Sequence, residues 1–308
     1  MKILTGDALK TLKTLPVQSV HCCVTSPPYW NLRDYGVEGQ LGLEKTPQEY
    51  VQKLVAVFSQ VRRVLRSDGT LWLNLGDSYA RNPKRGIKFE GGNQAIQDRQ
   101  TIERNRGPEV PSGTKEKDMI GIPWRVAFAL QGDGWYLRQD IIWHKPNPIP
   151  ESVTDRCTKS HEFIFLLSKS AEYFFDNDAI KEPAAYPKDD RGARKDSRRG
   201  AECNSMSGKN GLTRNKRDVW TITTKPYKDA HFATFPPEIP ETCIKAGCPE
   251  GGTVLDPFHG AGTTWMVAER LNKDYIGIDI NPEYIELSKN RVFKDSPLFN
   301  RKVLDIAG

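Results

Sequence analysis

Twice in this chain an apolar run leads through a turn into an amphipathic helix and back into a second apolar run. The first unit opens with Ser19-Val20-His21-Cys22-Cys23-Val24, short and largely apolar, which predicts a buried strand. Thr46-Pro47-Gln48-Glu49 then marks a helix start: Thr46 suits the N-cap, Pro47 the first turn, and Glu49 completes a capping box. Val51, Leu54, Val55, Phe58, Val61 and Leu65 follow at helical spacing, so one face packs on a sheet. Asp68-Gly69 predicts the helix end, and Thr70-Leu71-Trp72-Leu73-Asn74-Leu75 the next strand. The second unit runs from a strand ending at Asp256, through a glycine loop and a helix over 264–272, to the strand Tyr275-Ile276-Gly277-Ile278-Asp279. Strands joined by crossover helices pair in parallel, so the expected fold is α/β, doubly wound around a mostly parallel sheet.

Between and around these units the pattern is simpler. Ile3-Leu4 reads as a short strand, and Leu9, Leu12 and Leu15 as the apolar face of a helix after the Gly6-Asp7 turn. A helix over 120–130 has Pro123 in its first turn and Gly132 beyond its end. Residues 135–143 and 162–168 read as strands, joined through an extended, proline-rich turn, His144-Lys145-Pro146-Asn147-Pro148-Ile149-Pro150. A helix is expected around 239–246, and Asn281-Pro282 starts a last one. No internal repeat is visible.

The stretch Thr25-Ser26-Pro27-Pro28-Tyr29-Trp30 carries the first chemical signal. Proline has no N–H and a fixed φ, so the chain leaves the sheet as a stiff arm. The arm offers a hydroxyl (Ser26), a backbone carbonyl (Pro27) and an aromatic face (Tyr29) at the carboxyl end of a strand, where open α/β sheets hold ligands. A hydroxyl and a carbonyl can accept both protons of an exocyclic amine, and a ring can stack on a planar base. Read for packing alone, the same residues are a strand and a Pro-Pro turn. Trp30 reads first as core packing. Arg33 and Asp34 fit either a local ion pair or a role in shaping the site. Lys145 and Asn147 fit a rigid surface turn.

The second signal is Asp256-Pro257-Phe258-His259-Gly260-Ala261-Gly262-Thr263-Thr264. A strand ends at Asp256, Gly260 and Gly262 allow close backbone approach to a ligand, and Thr263 and Thr264 open a helix with free N–H groups. Asp279 ends the next strand, where an acidic group can hold ribose hydroxyls. The glycine spacing is not G-x-G-x-x-G, which favours a nucleoside without a pyrophosphate.

Composition bounds the partners. The chain has 308 residues and a net charge of +6, which suits an anionic partner. Residues 181–228 hold 13 Lys and Arg against 6 Asp and Glu, a net of +7, so the positive charge is concentrated there. Interleaved Asn, Ser and Thr with Trp220 and Tyr227 suggest a surface for phosphates and base edges. Residues 80–118 are polar and aperiodic and read as a mobile, solvated loop. No long apolar run predicts a membrane span or a signal peptide, so a cytoplasmic protein is expected. The cysteines (Cys22, Cys23, Cys157, Cys203, Cys243, Cys248) form no Cys-x-x-Cys pair, and no metal site is expected.

Ser26-Pro27-Pro28-Tyr29 resembles the catalytic motif of the amino-methylating DNA methyltransferases, in the form of their N4-cytosine branch. Residues 256–264 resemble the S-adenosylmethionine motif of the same enzymes. The catalytic motif precedes the cofactor motif, with the basic block between, as in the β class. That resemblance implies a circularly permuted, seven-stranded methyltransferase sheet. It implies a catalytic half over 1–180, a target-recognition insert over 181–228 and a cofactor-binding half over 229–308. It implies Ser26, Pro27, Pro28 and Tyr29 as catalytic residues. It implies Asp7, Phe235, Asp256, Pro257, Phe258, Gly260, Gly262, Thr263, Thr264 and Asp279 as cofactor contacts. The implied reaction is methyl transfer from S-adenosylmethionine to the N4 amine of a flipped cytosine in double-stranded DNA. N6-adenine methylation and an inactive DNA-binding protein of the same fold stand as alternatives. A cognate restriction endonuclease and a homodimer are the further partners it leaves open.

Overall fold

The computed structural model describes residues 1–32, 34, 36–80, 113–184, 212–224 and 235–295. An eight-stranded sheet forms its centre. In chain order the elements are β1 (Lys2–Thr5), α1 (Ala8–Thr14), β2 (Val20–Thr25), α2 (Pro47–Val64), β3 (Leu65–Leu75) and α3 (Ile122–Gly132). They continue as β4 (Tyr136–His144), β5 (His161–Ser168), β6 (Glu182–Pro183), β7 (Thr213–Arg214) and β8 (Val219–Thr221). The last are α4 (Glu238–Gly247), β9 (Thr253–Asp256), α5 (Thr263–Arg270), β10 (Asp274–Asp279) and α6 (Pro282–Asp295).

The strand order is β1-β10-β9-β2-β3-β5-β4-β8, and β6 pairs with β7 in a separate ribbon. Every neighbouring pair in the large sheet is parallel except the two that involve β5. From β2 the chain winds through α2 to β3 on one side. From β9 it winds through α5 to β10 on the other. The seam between β2 and β9 is therefore the topological switch point, where such sheets hold ligands.

Helices cover both faces. Alternation along the strands sorts the side chains: Val20, Cys23, Leu71, Leu73, Phe165 and Leu255 join α1, α2 and α3 in one core. Cys22, Val24, Trp72, Ile164, Leu166 and Val254 join α4, α5 and α6 in the other. Tyr50, Leu54, Phe58 and Val61 of α2 are fully buried, each contributing on the order of 2 kcal/mol of apolar burial. Thr46 is the N-cap of α2 as expected, its Oγ1 accepting from the Glu49 N–H at 3.2 Å, with Pro47 in the first turn.

Three expectations change. Asp68-Gly69 does not end the helix; α2 stops at Val64, Leu65 leaves it, and β3 begins five residues earlier than the apolar run at Thr70. Of the added residues Leu65 pairs with Val20, and the register then shifts so that Cys22 meets Thr70; polar Arg66, Ser67 and Asp68 lie in the irregularity between the two pairs. To the seven expected strands the protein adds an eighth, β8, from within the basic block. It pairs with β4 at Ile142, Trp143 and His144. The 80–118 stretch has ordered ends: Ala80 donates to the Asp118 carbonyl and accepts from the Lys117 N–H, both at 2.8 Å, and Tyr79 bridges to Met119. Its residues 81–112, like 185–211 and 225–228 of the basic block, lie outside the described residues. Among the described residues, Cys22, Cys23, Cys157, Cys243 and Cys248 are free thiols, and no helix is long and apolar enough to cross a membrane.

Candidate active site

Parallel pairing brings the carboxyl ends of β1, β10, β9, β2 and β3 to one edge of the sheet. Antiparallel β5 adds its amino end to that edge, with Phe163 opposite Leu75. Residues far apart in sequence therefore meet there: Ser26 after β2, Asn74 near the end of β3, Lys145 after β4, Glu162 at the start of β5, Asp256 and Asp279.

The Pro-Pro arm is held from several sides. Tyr50 of α2 donates its hydroxyl to the Pro28 carbonyl at 2.7 Å, and Pro27 is buried. Trp30 is buried and donates Nε1–H to the Glu44 carbonyl at 3.0 Å, so it packs the core as expected. The Tyr29 ring lies directly over Gly76. A Cβ at that position would stand 2.5 Å from Tyr29 Cε2, so only glycine lets the ring settle there. The Tyr29 hydroxyl donates to Glu162 Oε2 at 2.6 Å. Asn74 Nδ2 reaches Tyr29 Oη at 2.8 Å and Glu162 Oε2 at 3.0 Å, and Ser26 Oγ lies 3.3 Å from Tyr29 Oη. Lys145 ion-pairs with Glu162 Oε1 and stacks its ammonium 4.2 Å from the Trp143 ring centroid. Burial, then the Glu162 charge, pushes the Tyr29 hydroxyl well above the ordinary phenol pKa, so it stays protonated. Asn147 is clamped to Thr224, accepting its N–H at 3.0 Å and donating to its carbonyl at 3.2 Å. That fixes the proline-rich turn against the chain leaving β8.

The glycine loop is built differently. Asp256 is buried and fully engaged: it accepts from Thr25 Oγ1 at 2.6 Å, Thr264 Oγ1 at 2.8 Å and the Phe258 N–H at 3.1 Å. Burial pushes its carboxyl up to about 6 against those hydrogen bonds. Thr25 immediately precedes Ser26, so one carboxylate ties the arm to the start of α5. His259, also buried, is hydrogen-bonded to Tyr275 Oη at 2.8 Å and Ser288 Oγ at 2.7 Å, and burial drops its pKa to about 3. Gly262 has φ +70, and a Cβ there would stand 2.8 Å from Ser288 Cβ. That glycine is required by packing on α6 as well as by the turn. Arg291 supports the loop from α6, donating to the Ala261 carbonyl at 3.1 Å and Thr263 Oγ1 at 2.8 Å. Asp279 accepts the Gly260 N–H at 2.7 Å and the Asn281 N–H at 2.8 Å, and burial raises its carboxyl pKa.

Of the remaining sequence candidates, Asp7 caps α1 by accepting the Lys10 N–H at 2.9 Å. Gly6 donates its N–H to the Asp279 carbonyl at 2.8 Å, so this turn sits beside the end of β10. Phe258 is half-buried and meets Phe58 edge-on, 6.4 Å between centroids, while Pro257 is buried. Phe235 is half-buried and packs against the α4–α5–α6 core. Sequence reasoning missed Asn74, Glu162 and Arg291 as members of the site, and gave Thr25 no role within its stretch. The sequence marks Glu162 only as the first residue of a strand. A carboxylate at the end of a β5-type apolar run, against an Asn in the run it pairs with, was the available signal.

The layout belongs to the doubly wound α/β folds that hold ligands beyond their strand ends. A family model described as DNA methylase matches residues 20–290, and the chain belongs to that N6/N4 DNA methylase family. It is 47% identical over 292 residues to the type II methyltransferase M.XycI of Xanthomonas campestris pv. cyanopsidis, covering 94% of this chain and 87% of that one. It is 46% identical over 297 residues to the type II methyltransferase M.SmaI of Serratia marcescens, covering 95% and 91%. Among solved structures, the PvuII DNA methyltransferase (cytosine-N4-specific) superposes with a TM-score of 0.63 at 20% identity, over 97% of this chain and 91% of that one. A Thermus thermophilus protein assigned as a DNA modification methylase and complexed with S-adenosyl-L-methionine gives a TM-score of 0.59 at 24% identity, over 96% of each chain. These two likenesses establish the fold, in agreement with the sequence expectation.

Proposed function

We propose that this DNA methylase is a type II enzyme that transfers a methyl group from S-adenosylmethionine to the N4 amine of cytosine in duplex DNA. The observation that carries the proposal is the Asp256 joint. One buried carboxylate binds Thr25, next to Ser26, and Thr264, at the start of α5, so arm and glycine loop are built as one unit across the switch point.

The residues fit the cofactor by their chemistry. Gly262 caps α5 without a side chain, so the helix offers N–H groups to a carboxylate. The Asp279 carboxylate, which accepts the Gly260 and Asn281 N–H groups on different oxygens, has lone pairs to offer ribose hydroxyls. Phe235 and Phe258 supply apolar sides. The cofactor supplies an activated methyl group on a sulfonium.

The amine of cytosine is a weak nucleophile because its lone pair is conjugated with the ring. Ser26 Oγ and the Pro27 carbonyl accept its two N–H bonds and draw that lone pair out of conjugation. The prolines hold these acceptors in place before the base arrives, so alignment and electrostatics do the catalytic work. The Tyr29 ring, seated over Gly76, stacks on the flipped base. The basic block 181–228 docks the duplex and reads the site. Its described residues support that role: β8 extends the sheet at the edge of β4, and Thr224 grips the turn that carries Lys145.

The test is to treat duplex DNA with the protein and S-adenosylmethionine, digest it to nucleosides and weigh them. N4-methylcytosine is expected. N6-methyladenine as the sole product overturns the choice of base, and unmodified DNA overturns the activity. Exchanging 181–228 for the block of a methyltransferase with another target tests recognition. A folded, active chimera that keeps the original specificity moves recognition to another segment.

A further inference from the structure

The polar network beneath the arm ends on a carboxylate whose position only the tertiary fold reveals. We propose that Glu162 is a positioning residue: through Tyr29 it sets the direction of the Ser26 hydroxyl, and along the same groups it receives the proton that the target amine loses. This rests on the reading of Ser26 as the group that meets the amine.

The direction follows from counting donors. Lys145 can only donate, and it occupies Glu162 Oε1. Glu162 Oε2 accepts from Tyr29 Oη at 2.6 Å and from Asn74 Nδ2 at 3.0 Å. The phenol has one proton and holds it, so that proton is committed to Glu162 and the Tyr29 oxygen acts toward its other neighbours as an acceptor. Asn74 Nδ2 donates to it at 2.8 Å, and Ser26 Oγ–H donates at 3.3 Å. With its own proton turned inward, Ser26 Oγ presents lone pairs outward, the polarity an N–H of an exocyclic amine requires. Reversing the chain would aim the Ser26 proton at the amine, donor against donor.

The same chain balances the reaction. As the bond from nitrogen to the methyl carbon forms, the carbon–sulfur bond breaks and its electron pair stays on the departing thioether. The amine nitrogen becomes cationic and must release a proton. That proton passes to Ser26 Oγ, the Ser26 proton to Tyr29 Oη, and the Tyr29 proton to Glu162 Oε2. Ser26 and Tyr29 end neutral as they began, and Glu162 ends as a carboxylic acid. Its side chain is 16% exposed, enough to return the proton to water. The titratable groups facing it are Tyr29 from the arm, Lys145 after β4, Lys159 on the approach to β5 and His161 at its first position.

The experiment measures single-turnover methylation of a short duplex across pH with wild type, Glu162→Gln, Tyr29→Phe and the double variant. A glutamine turns its carbonyl to Lys145 and its N–H groups to Tyr29, which reverses the chain. Glu162→Gln is expected to be slower on the order of a hundredfold. It should lose the acid limb of the wild-type profile while cofactor affinity by calorimetry stays unchanged. Adding Tyr29→Phe should slow it little further, because both changes cut one chain. Wild-type speed in Glu162→Gln, a retained acid limb, or losses that multiply in the double variant each overturn the proposal. If Glu162→Gln loses thermal stability, Glu162→Asp decides: a shorter carboxylate should recover the acid limb and part of the rate, and an aspartate variant as slow as glutamine overturns it. A wild type that methylates no amine instead removes the functional reading beneath it, an outcome distinct from a slow variant beside an active parent.

Discussion

The arm and the glycine loop lie on adjacent strands, yet they are built by opposite means. The arm is positioned by side chains gathered from several elements, Asn74, Lys145, Glu162 and Tyr50, around a partly open polar network. The loop is positioned mainly by backbone N–H groups and buried polar side chains, Asp256, His259 and Asp279, with little solvent between them. A network of this first kind can lose a member and leave the fold standing. A loop of the second kind couples chemistry to stability, because a buried polar group left without its partner costs on the order of 1–3 kcal/mol. The two regions meet at Asp256 alone among the hydrogen bonds described.

The comparison predicts where substitutions act. The largest effect should come from Gly262→Val. It forces a branched side chain into φ +70 and against Ser288 Cβ at 2.8 Å, so a stability loss on the order of 3 kcal/mol is expected by urea denaturation. A variant as stable as wild type breaks the claim that the loop is packed as a structural unit.

Next comes Ser26→Ala, expected to reduce methyl transfer on the order of a hundredfold with urea midpoint and cofactor affinity unchanged. Equal losses of rate and stability would erase the contrast between the two regions. Asp279→Ala should weaken S-adenosylmethionine by roughly 1.5–3 kcal/mol in calorimetry, since a charged acceptor is removed. Unaltered affinity would return Asp279 to a purely structural role with Gly260 and Asn281.

The smallest effect is a slope against pH. The folded-state pKa of His259 is depressed from 6.5 to about 3, so the unfolded chain takes up its proton first and stability is lost as pH falls below 6.5. Asp256 works the other way: raised from 3.8 to about 6, it favours the folded state as pH falls through that window. The two nearly cancel in the wild type. His259→Gln should uncover the difference, gaining on wild type by on the order of 1 kcal/mol per pH unit between about pH 6 and 4. A constant offset at every pH would mean that His259 is not held neutral.

Much of this was legible in the sequence because it is written locally. Thr46 caps α2 and Pro47 stands in its first turn as their spacing predicts, and the apolar period of 51–61 marks the face that packs on the core. Asp256, the glycines and Asp279 stand at strand ends because strand, turn and helix signals follow one another within a few residues. Even Trp30 was placed by its neighbours. The extension of β3 through Arg66-Ser67-Asp68-Gly69 was not legible, since those residues have no apolar period and fall at an irregularity between the Leu65–Val20 and Thr70–Cys22 pairs. β8 was hidden too: three residues in a basic block become a strand when β4 offers its edge.

The amino-acid sequence by itself determined the periodicities, the caps, the proline-stiffened arm and the glycine turn, since each depends on torsions and contacts within a turn or two of chain. Only the tertiary structure decided that Tyr29 would meet Glu162, 133 residues away, that Asn74 would join them, and that Thr25 would reach Asp256 across 231 residues. Those meetings depend on strand order and register. A shift of one residue in the pairing of β3 with β5 would turn Asn74 or Glu162 to the other face of the sheet, and no local pattern records which register wins.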